Sequence, residues 1–129
     1  MWREIFTLRH LASFKGRATR REFLAIAALW LIPWMLPAVL VSVATGKEPP
    51  EWAFAFGGVW MLAYLIAVFA AAVRRLHDHD KSGAYLFLGL IPFVGWIFLL
   101  IMMFYTGNYY ENNYGPDPRE QILNEQAAA

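Results

Sequence analysis

The sequence predicts an all-α integral membrane protein in which an amino-terminal interfacial helix precedes three transmembrane helices, and two observations carry that expectation. The first is composition: 129 residues, 59% hydrophobic and only 16% charged, a balance more apolar than soluble domains show. The second is where the charge sits. All eleven Lys and Arg and all ten Asp and Glu fall within 1–22, 46–51, 74–83 and 107–129. The uncharged stretches between them, Phe23–Thr45, Trp52–Val73 and Ala84–Thr106, would each measure ~33–35 Å as helices, enough to cross a ~30 Å hydrocarbon core with some tilt. A soluble fold would need polar faces to cover these segments, and helices that are apolar all round have none.

Ahead of the first span, Trp2, Ile5, Phe6, Leu8, Leu11, Ala12 and Phe14 form a broad apolar face beside Arg3, Arg9 and Lys15, which suits a helix lying on the membrane surface. Gly16 permits a turn, and Thr19-Arg20-Arg21-Glu22 has the spacing of a capping box that opens the first span. Ser42-Val43-Ala44 imitates a signal-peptidase site. The apolar run before it is longer than the ~7–15 residues of a signal core, so a retained anchor is expected. Backbone groups in lipid must be satisfied within the segment, so the spans read as helices, kinked at Pro33, Pro37 and Pro92.

In the second span Ala63, Ala67 and Ala71 recur at every fourth position, with Gly57 and Gly58 nearer one end. Small residues let helices approach closely, and packing within the chain is the expected use, with a dimerisation face as the alternative. Trp52, Tyr85, Tyr105 and Tyr109 stand near span ends as interfacial anchors. The third span is divided by Pro92-Phe93-Val94-Gly95, which permits either a kinked crossing or a re-entrant hairpin. As α-helices the two halves would reach only ~12 and ~17 Å, so the kinked crossing is expected, with the tail outside. The hairpin would instead return the tail to the cytoplasmic side and bring Asp117 toward Arg74 and Arg75.

Orientation follows from the basic residues, which resist translocation. Six of them precede the first span and Arg74, Arg75 and Lys81 follow the second, against Lys47 alone in the 46–51 turn. The amino terminus and the 74–83 loop are therefore expected in the cytoplasm. Residues 1–118 read as one membrane domain. The 119–129 segment reads as a flexible tail that frays or forms a short helix, after a run of turn formers from Asn112 to Pro118.

The chemistry on offer is sparse. Cysteine is absent, which excludes disulfides and thiolate chemistry. No ionisable residue except tyrosine lies mid-span, which counts against a transporter working alone. His77, Asp78, His79 and Asp80 are metal-ligand types. Their spacing is poor for a helix-borne site, so metal binding is the weaker alternative to a salt-bridged loop. His77 with Asp78 could form a base and its orienter, but no nucleophile or oxyanion arrangement accompanies them. Arg17, Arg20, Arg74 and Arg75 are expected to meet at one cytoplasmic interface. There they would pair with Glu22, Asp78 and Asp80, or engage anionic headgroups or a partner.

Three segments carry a family resemblance: Phe14–Phe23, Arg74–Gly83 and Gly115-Pro116-Asp117-Pro118. In order and spacing they resemble the signatures of the bacterial inner-membrane family catalogued as domain of unknown function 805, or YhaH-like. These run approximately F-x-G-R-A-x-R-x-E-[FY]-W, R-R-L-H-D-x-x-x-S-[GA]-W-W and G-x-x-G-x-N-x-[YF]-G-P-D-P. The positions retained are Gly16, Arg17, Arg20, Glu22, Arg74, Arg75, His77, Asp78, Ser82, Gly83, Asn113, Gly115, Pro116, Asp117 and Pro118. Leu24 replaces the first tryptophan, Ala84 and Tyr85 the tryptophan pair, and Tyr110 a tail glycine, so contacts that depend on those residues are not expected here.

What the resemblance implies is a small multi-pass protein of a bacterial inner membrane, of unassigned activity. The reading of the residues is a non-catalytic interaction module that uses no cofactor. Its expected partners are membrane lipids with anionic headgroups, another membrane protein or a second copy, and nucleic acid is not among them. The alternative is a channel, a carrier accessory or a metal-binding component that uses the His77–Asp80 loop.

Overall fold

Thr19 starts the first long helix: its side-chain oxygen accepts the amide of Glu22 at 3.2 Å, which satisfies one of the donors every helix start leaves open. The structure, a computed structural model, describes residues 8–129, and the side chains of all of these except residues 8, 29–31 and 33–35. Residues 1–7 of the expected surface helix lie outside that range, and in its described part only Leu8–Leu11, here α1, is helical. Then follow α2, Arg20–Thr45, and α3, Glu51–Asp78. A 3₁₀ helix, Gly83–Leu90, precedes α4, Val94–Phe104, and α5, Pro118–Ala128. No strand occurs among the described residues beyond an isolated bridge between Asn112 and Gly115.

At ~1.5 Å per residue, the 26 residues of α2 and the 28 of α3 run ~39–42 Å. They are joined by a short turn in which Gly46 takes the left-handed conformation at φ 61° and returns its amide to Ser42, a glycine stop. The antiparallel pair meets where side chains are small. Ile26 packs against Ala67 and Ala71 with Leu11, and the Tyr64 hydroxyl donates to the Ala27 carbonyl at 3.5 Å. The small-residue stripe thus serves packing within the chain, but through Ala67, Ala70 and Ala71, since Ala63 is exposed. Among the described residues α3 is long and apolar enough to cross a membrane, while Leu36–Thr45 and Val94–Phe104 are shorter apolar stretches.

The region 84–106 departs from the expected kinked helix: it folds back on itself. The chain turns at Pro92-Phe93-Val94, where the Val94 amide donates to the Pro92 carbonyl at 2.9 Å and Phe93 sits at φ 65°, ψ −69°, a tight three-residue turn of the strained kind. The arms then run antiparallel. Trp96 Nε1 donates to the Gly89 carbonyl at 2.8 Å, and Tyr85 stacks on Phe98 with ring centres 5.9 Å apart. A Cβ at Gly95 would lie 1.6 Å from the Leu88 carbonyl oxygen, so glycine is what lets the arms close. The 3₁₀ geometry makes the hairpin symmetric. Eight residues at ~2.0 Å of rise span ~16 Å, matching the eleven of α4 at ~1.5 Å.

The hairpin base lies against the end of α3, with Leu86, Met102 and Met103 packed on Ala72 and Leu76. The tail therefore emerges beside Asp78 rather than at the far end of the helices. It closes as α5, whose first turn is capped by Asp117 accepting the Arg119 amide at 2.9 Å. The carboxy-terminal segment takes the short-helix form.

Candidate functional site

The burial pattern is inverted. Large apolar side chains such as Leu40, Val43, Phe54, Val59, Leu62 and Phe69 are more than half exposed, whereas Arg17, Glu22, Arg74, Arg75, His77, Asp78 and Asp117 are buried. All seven buried polar side chains gather at one end of the α2–α3 pair, around the last turn of α3.

Asp78, fully buried, is the hub. Its Oδ1 accepts from Arg17 Nε at 3.0 Å and Nη2 at 2.8 Å; its Oδ2 accepts from Arg75 Nη1 at 2.5 Å. Arg119 Nη2 approaches Oδ1 at 3.4 Å. Two arginines packed on one carboxylate would repel without further acceptors, and the carbonyls of the returning tail supply them. Arg17 also donates to the carbonyls of Tyr110 at 2.7 Å, Gly115 at 3.1 Å and Asn108 at 2.5 Å. Arg75 donates to Met103 at 3.2 Å, to Ala18 at 3.3 Å and to Tyr105. Guanidinium forks with this many partners fix geometry as well as charge. Gly107 completes the fit, because a Cβ there would lie 1.9 Å from Asp78 Oδ2 and 2.6 Å from the Asp78 carbonyl.

A second pair lies beside the first. Arg74 Nη1 meets Glu22 Oε1 at 2.5 Å and His10 Nε2 at 2.5 Å, while its Nε and Nη2 have no partner. The Glu22 carboxylate therefore does not reach back to its own helix cap as a full capping box would. It turns inward to α3 instead. His77 gives Nδ1 to the Gly16 carbonyl at 2.9 Å, which fixes the proton on that nitrogen in the neutral ring, and it stacks on Tyr114 at 3.8 Å and 5°. Gly16 holds φ +86° to present that carbonyl. Burial pushes the His77 imidazole below the ordinary histidine value, with Arg74 acting in the same direction and the Gly16 bond opposing.

The metal-ligand types of the loop are each committed elsewhere. His77 goes to Gly16, Asp78 to the arginines, His79 Nε2 to the Met102 carbonyl at 2.9 Å, and Asp80 to Asn113 at 3.1 Å. Among the described residues no group of three His, Cys, Asp or Glu could hold a metal ion. Of the four arginines expected together, Arg17, Arg74 and Arg75 are buried in the knot, and Arg20 is exposed at its edge. Asp80 faces the tail rather than an arginine.

Several contributors lay beyond the sequence reading. Arg119 joins the knot through Asp117 at 2.7 Å and the Asn108 carbonyl at 2.5 Å. Tyr114 covers His77, and the asparagine that ties the tail to α3 is Asn112, whose Nδ2 donates to the His77 carbonyl at 2.8 Å, one residue before Asn113. The tail signature offered a signal for Asn112 and for Gly107, since counting back from Gly115 sets its first glycine at Gly107 and its asparagine at Asn112. Ser82 and Gly83 start the 3₁₀ arm, Gly83 against Val73, outside the knot itself.

Between the start of α2 and the side of α5 a cleft of about 820 Å³ opens, lined by Arg17, Arg20, Arg21 and Arg119 with His10, Glu22, Ile122 and Leu123 among its other walls. Among its charged groups the four arginines outnumber the two carboxylates, Glu22 and Glu125. Both oxygens of Asp78 are engaged by arginines, so the knot clamps the returning tail to the end of α3.

Comparison with known proteins agrees on a family. A family model described as "Protein of unknown function (DUF805)" matches residues 11–116. The chain is 35% identical to "Inner membrane protein YhaI" of Escherichia coli (strain K12) over 114 residues, covering 87% of this chain and 91% of that one. It is 34% identical to "Inner membrane protein YhaH" of the same organism over 119 residues, covering 87% and 92%. It is also 30% identical to "Uncharacterized protein YiiR" over 135 residues, covering 85% and 88%. No solved structure matches.

Proposed function

Because this chain belongs to the DUF805 family, whose relatives include bacterial inner membrane proteins, we propose that it is a multi-pass inner-membrane interaction module without catalytic activity. Its charged knot lies on the cytoplasmic side. In this reading α2 and α3 cross the bilayer, and the hairpin dips into the cytoplasmic leaflet and returns. The observation that carries it is the inverted burial: charged side chains inside at one end, large apolar ones outside along the rest. In water that surface would far exceed the few hundred Å² of contiguous apolar patch that monomers tolerate, whereas lipid is its natural solvent.

The hairpin fits this placement in length and in hydrogen bonding. Arms of ~16 Å reach the middle of a ~30 Å core, and the exposed tip residues Ile91, Phe93 and Val94 are apolar. The amides of Ile91, Val94 and Gly95 are all bonded within the turn, and Pro92 has none. The tip therefore carries little of the unsatisfied backbone that lipid penalises. With the tail returned, Arg17, Arg20, Arg21, Arg74, Arg75, Lys81 and Arg119 share one end and Lys47 alone marks the other, which favours the cytoplasm for the knot.

Alkaline extraction and cysteine labelling test the reading, and the natural chain has no cysteine to interfere. The protein should stay in carbonate-washed membranes. Lys47→Cys should react with an impermeant thiol reagent on intact spheroplasts, and Ser82→Cys only after the membrane is opened. The opposite pattern at these two positions overturns the orientation, and release by carbonate overturns the membrane placement.

A further inference from the structure

We infer that the cleft between the start of α2 and α5 is a binding site for a phosphate group, of the kind an anionic phospholipid headgroup presents at the membrane surface. The inference rests on the membrane placement proposed above and adds the ligand's chemistry. At about 820 Å³ the cleft is within the usual range for small-molecule sites, and four arginines line it against two carboxylates, Glu22 and Glu125.

The charge is not balanced inside. In the knot Arg17, Arg74, Arg75 and Arg119 face only Glu22, Asp78 and Asp117. Behind the cleft wall formed by Glu22, the buried Arg74 keeps two guanidinium nitrogens without partners. Arg20 and Arg21 then stand at the rim, exposed and with no ion pair or side-chain hydrogen bond to another described residue. They are also the first two residues of α2. Thr19 caps only the amide of Glu22, so helix geometry leaves the amides of Arg20 and Arg21 pointing out of the positive end of a 26-residue helix. Two free guanidinium forks, two free amides and a net positive background describe a receptor for a tetrahedral oxyanion.

The walls suggest where that oxyanion comes from. Leu123 and Tyr109 line the same cleft and are largely exposed, which offers apolar and aromatic surface beside the charge, as a glycerol backbone and acyl chain would use. The apolar exterior of α2 starts directly below, with Leu24 exposed. A headgroup could therefore enter from the bilayer without leaving its leaflet. A soluble phosphate would use the arginines and amides alone.

The test uses the full chain in mild detergent, with lipid adducts counted by native mass spectrometry after addition of phosphatidylglycerol or phosphatidylcholine. A parallel thermal-stability arm uses inorganic phosphate. The variant is Arg20→Gln/Arg21→Gln, which removes no bond of the knot, and Lys47→Gln at the other end controls for general charge. Phosphatidylglycerol should be retained over phosphatidylcholine by the wild type and by Lys47→Gln, and about tenfold less by the double variant. Stabilisation by inorganic phosphate that the double variant loses, without retention of phosphatidylglycerol, supports the cleft but overturns the lipid as its source. Equal phosphatidylglycerol retention by wild type and double variant, or binding of neither probe, overturns the site. Failure of the wild type to bind either probe, with the expected labelling at Lys47→Cys and Ser82→Cys, would sink this inference and leave the membrane reading standing.

Discussion

Neutralising Asp78 should be the most damaging isosteric change in this chain. Asp78→Asn keeps the shape but removes the charge that faces Arg17 at 2.8 Å and Arg75 at 2.5 Å, and its amide would point N–H groups at a guanidinium. Breaking a buried ion pair from one side costs about 3–5 kcal/mol, because the remaining charge is left without compensation. With Arg17 and Arg75 both buried, the upper part of that range applies, a large fraction of the about 5–15 kcal/mol that holds a typical domain together. Arg17→Gln should cost about as much, since it also releases three tail carbonyls. The double variant should cost less than the sum by roughly 1–3 kcal/mol. Denaturant unfolding in detergent, followed by tryptophan fluorescence, gives all three values. A loss below about 0.5 kcal/mol for Asp78→Asn, or a coupling of the same small size, would refute the knot as the element that closes the fold.

Three further outcomes follow from particular contacts. Gly107→Ala sets a methyl 2.6 Å from the Asp78 carbonyl and should destabilise by about 1–3 kcal/mol, read by the same unfolding assay. Gly95→Ala, which collides with the backbone of Leu88, should spread the hairpin arms. Faster proteolysis at the hairpin base would show it, with the α2–α3 pair left intact. Burial holds His77 and His79 below the ordinary histidine value, against the opposing effect of the hydrogen bonds their rings donate to the carbonyls of Gly16 and Met102. As pH falls through about 6.5 the unfolded chain takes up protons before the folded one. Stability should therefore be full above that pH and decline below it, less steeply in His77→Gln than in the wild type.

The long uncharged runs and the Thr19 start made α2 and α3 legible, because solvent preference and capping are local properties of the chain. The hairpin was legible only as the alternative to a kinked crossing, for a specific reason. Composition is the same for a crossing and a hairpin, and reading both arms at the α-helical rise makes them unequal and short. Only the 3₁₀ form of Gly83–Leu90 equalises them. The tail's return then explains the rest of the site. Arg17, Arg75 and Asp78 stood out by type, but their acceptors are backbone carbonyls of Met103, Tyr105, Asn108, Tyr110 and Gly115, which no side-chain pattern reveals. Arg119 carried no signal of its own in the sequence, because its pairing with Asp117 and Asp78 exists only after the chain has folded back.

The claim on which the knot, the cleft and the orientation all depend is that the tail shares a side with the Arg74–Lys81 loop, and a cysteine at Asn124 tests it most directly. In intact spheroplasts an impermeant thiol reagent should leave Asn124→Cys unmodified, as it leaves Ser82→Cys, and should label both once the membrane is opened. Labelling of Asn124→Cys from outside, with Ser82→Cys still protected, would mean that Ala84–Thr106 crosses the membrane and would contradict the account.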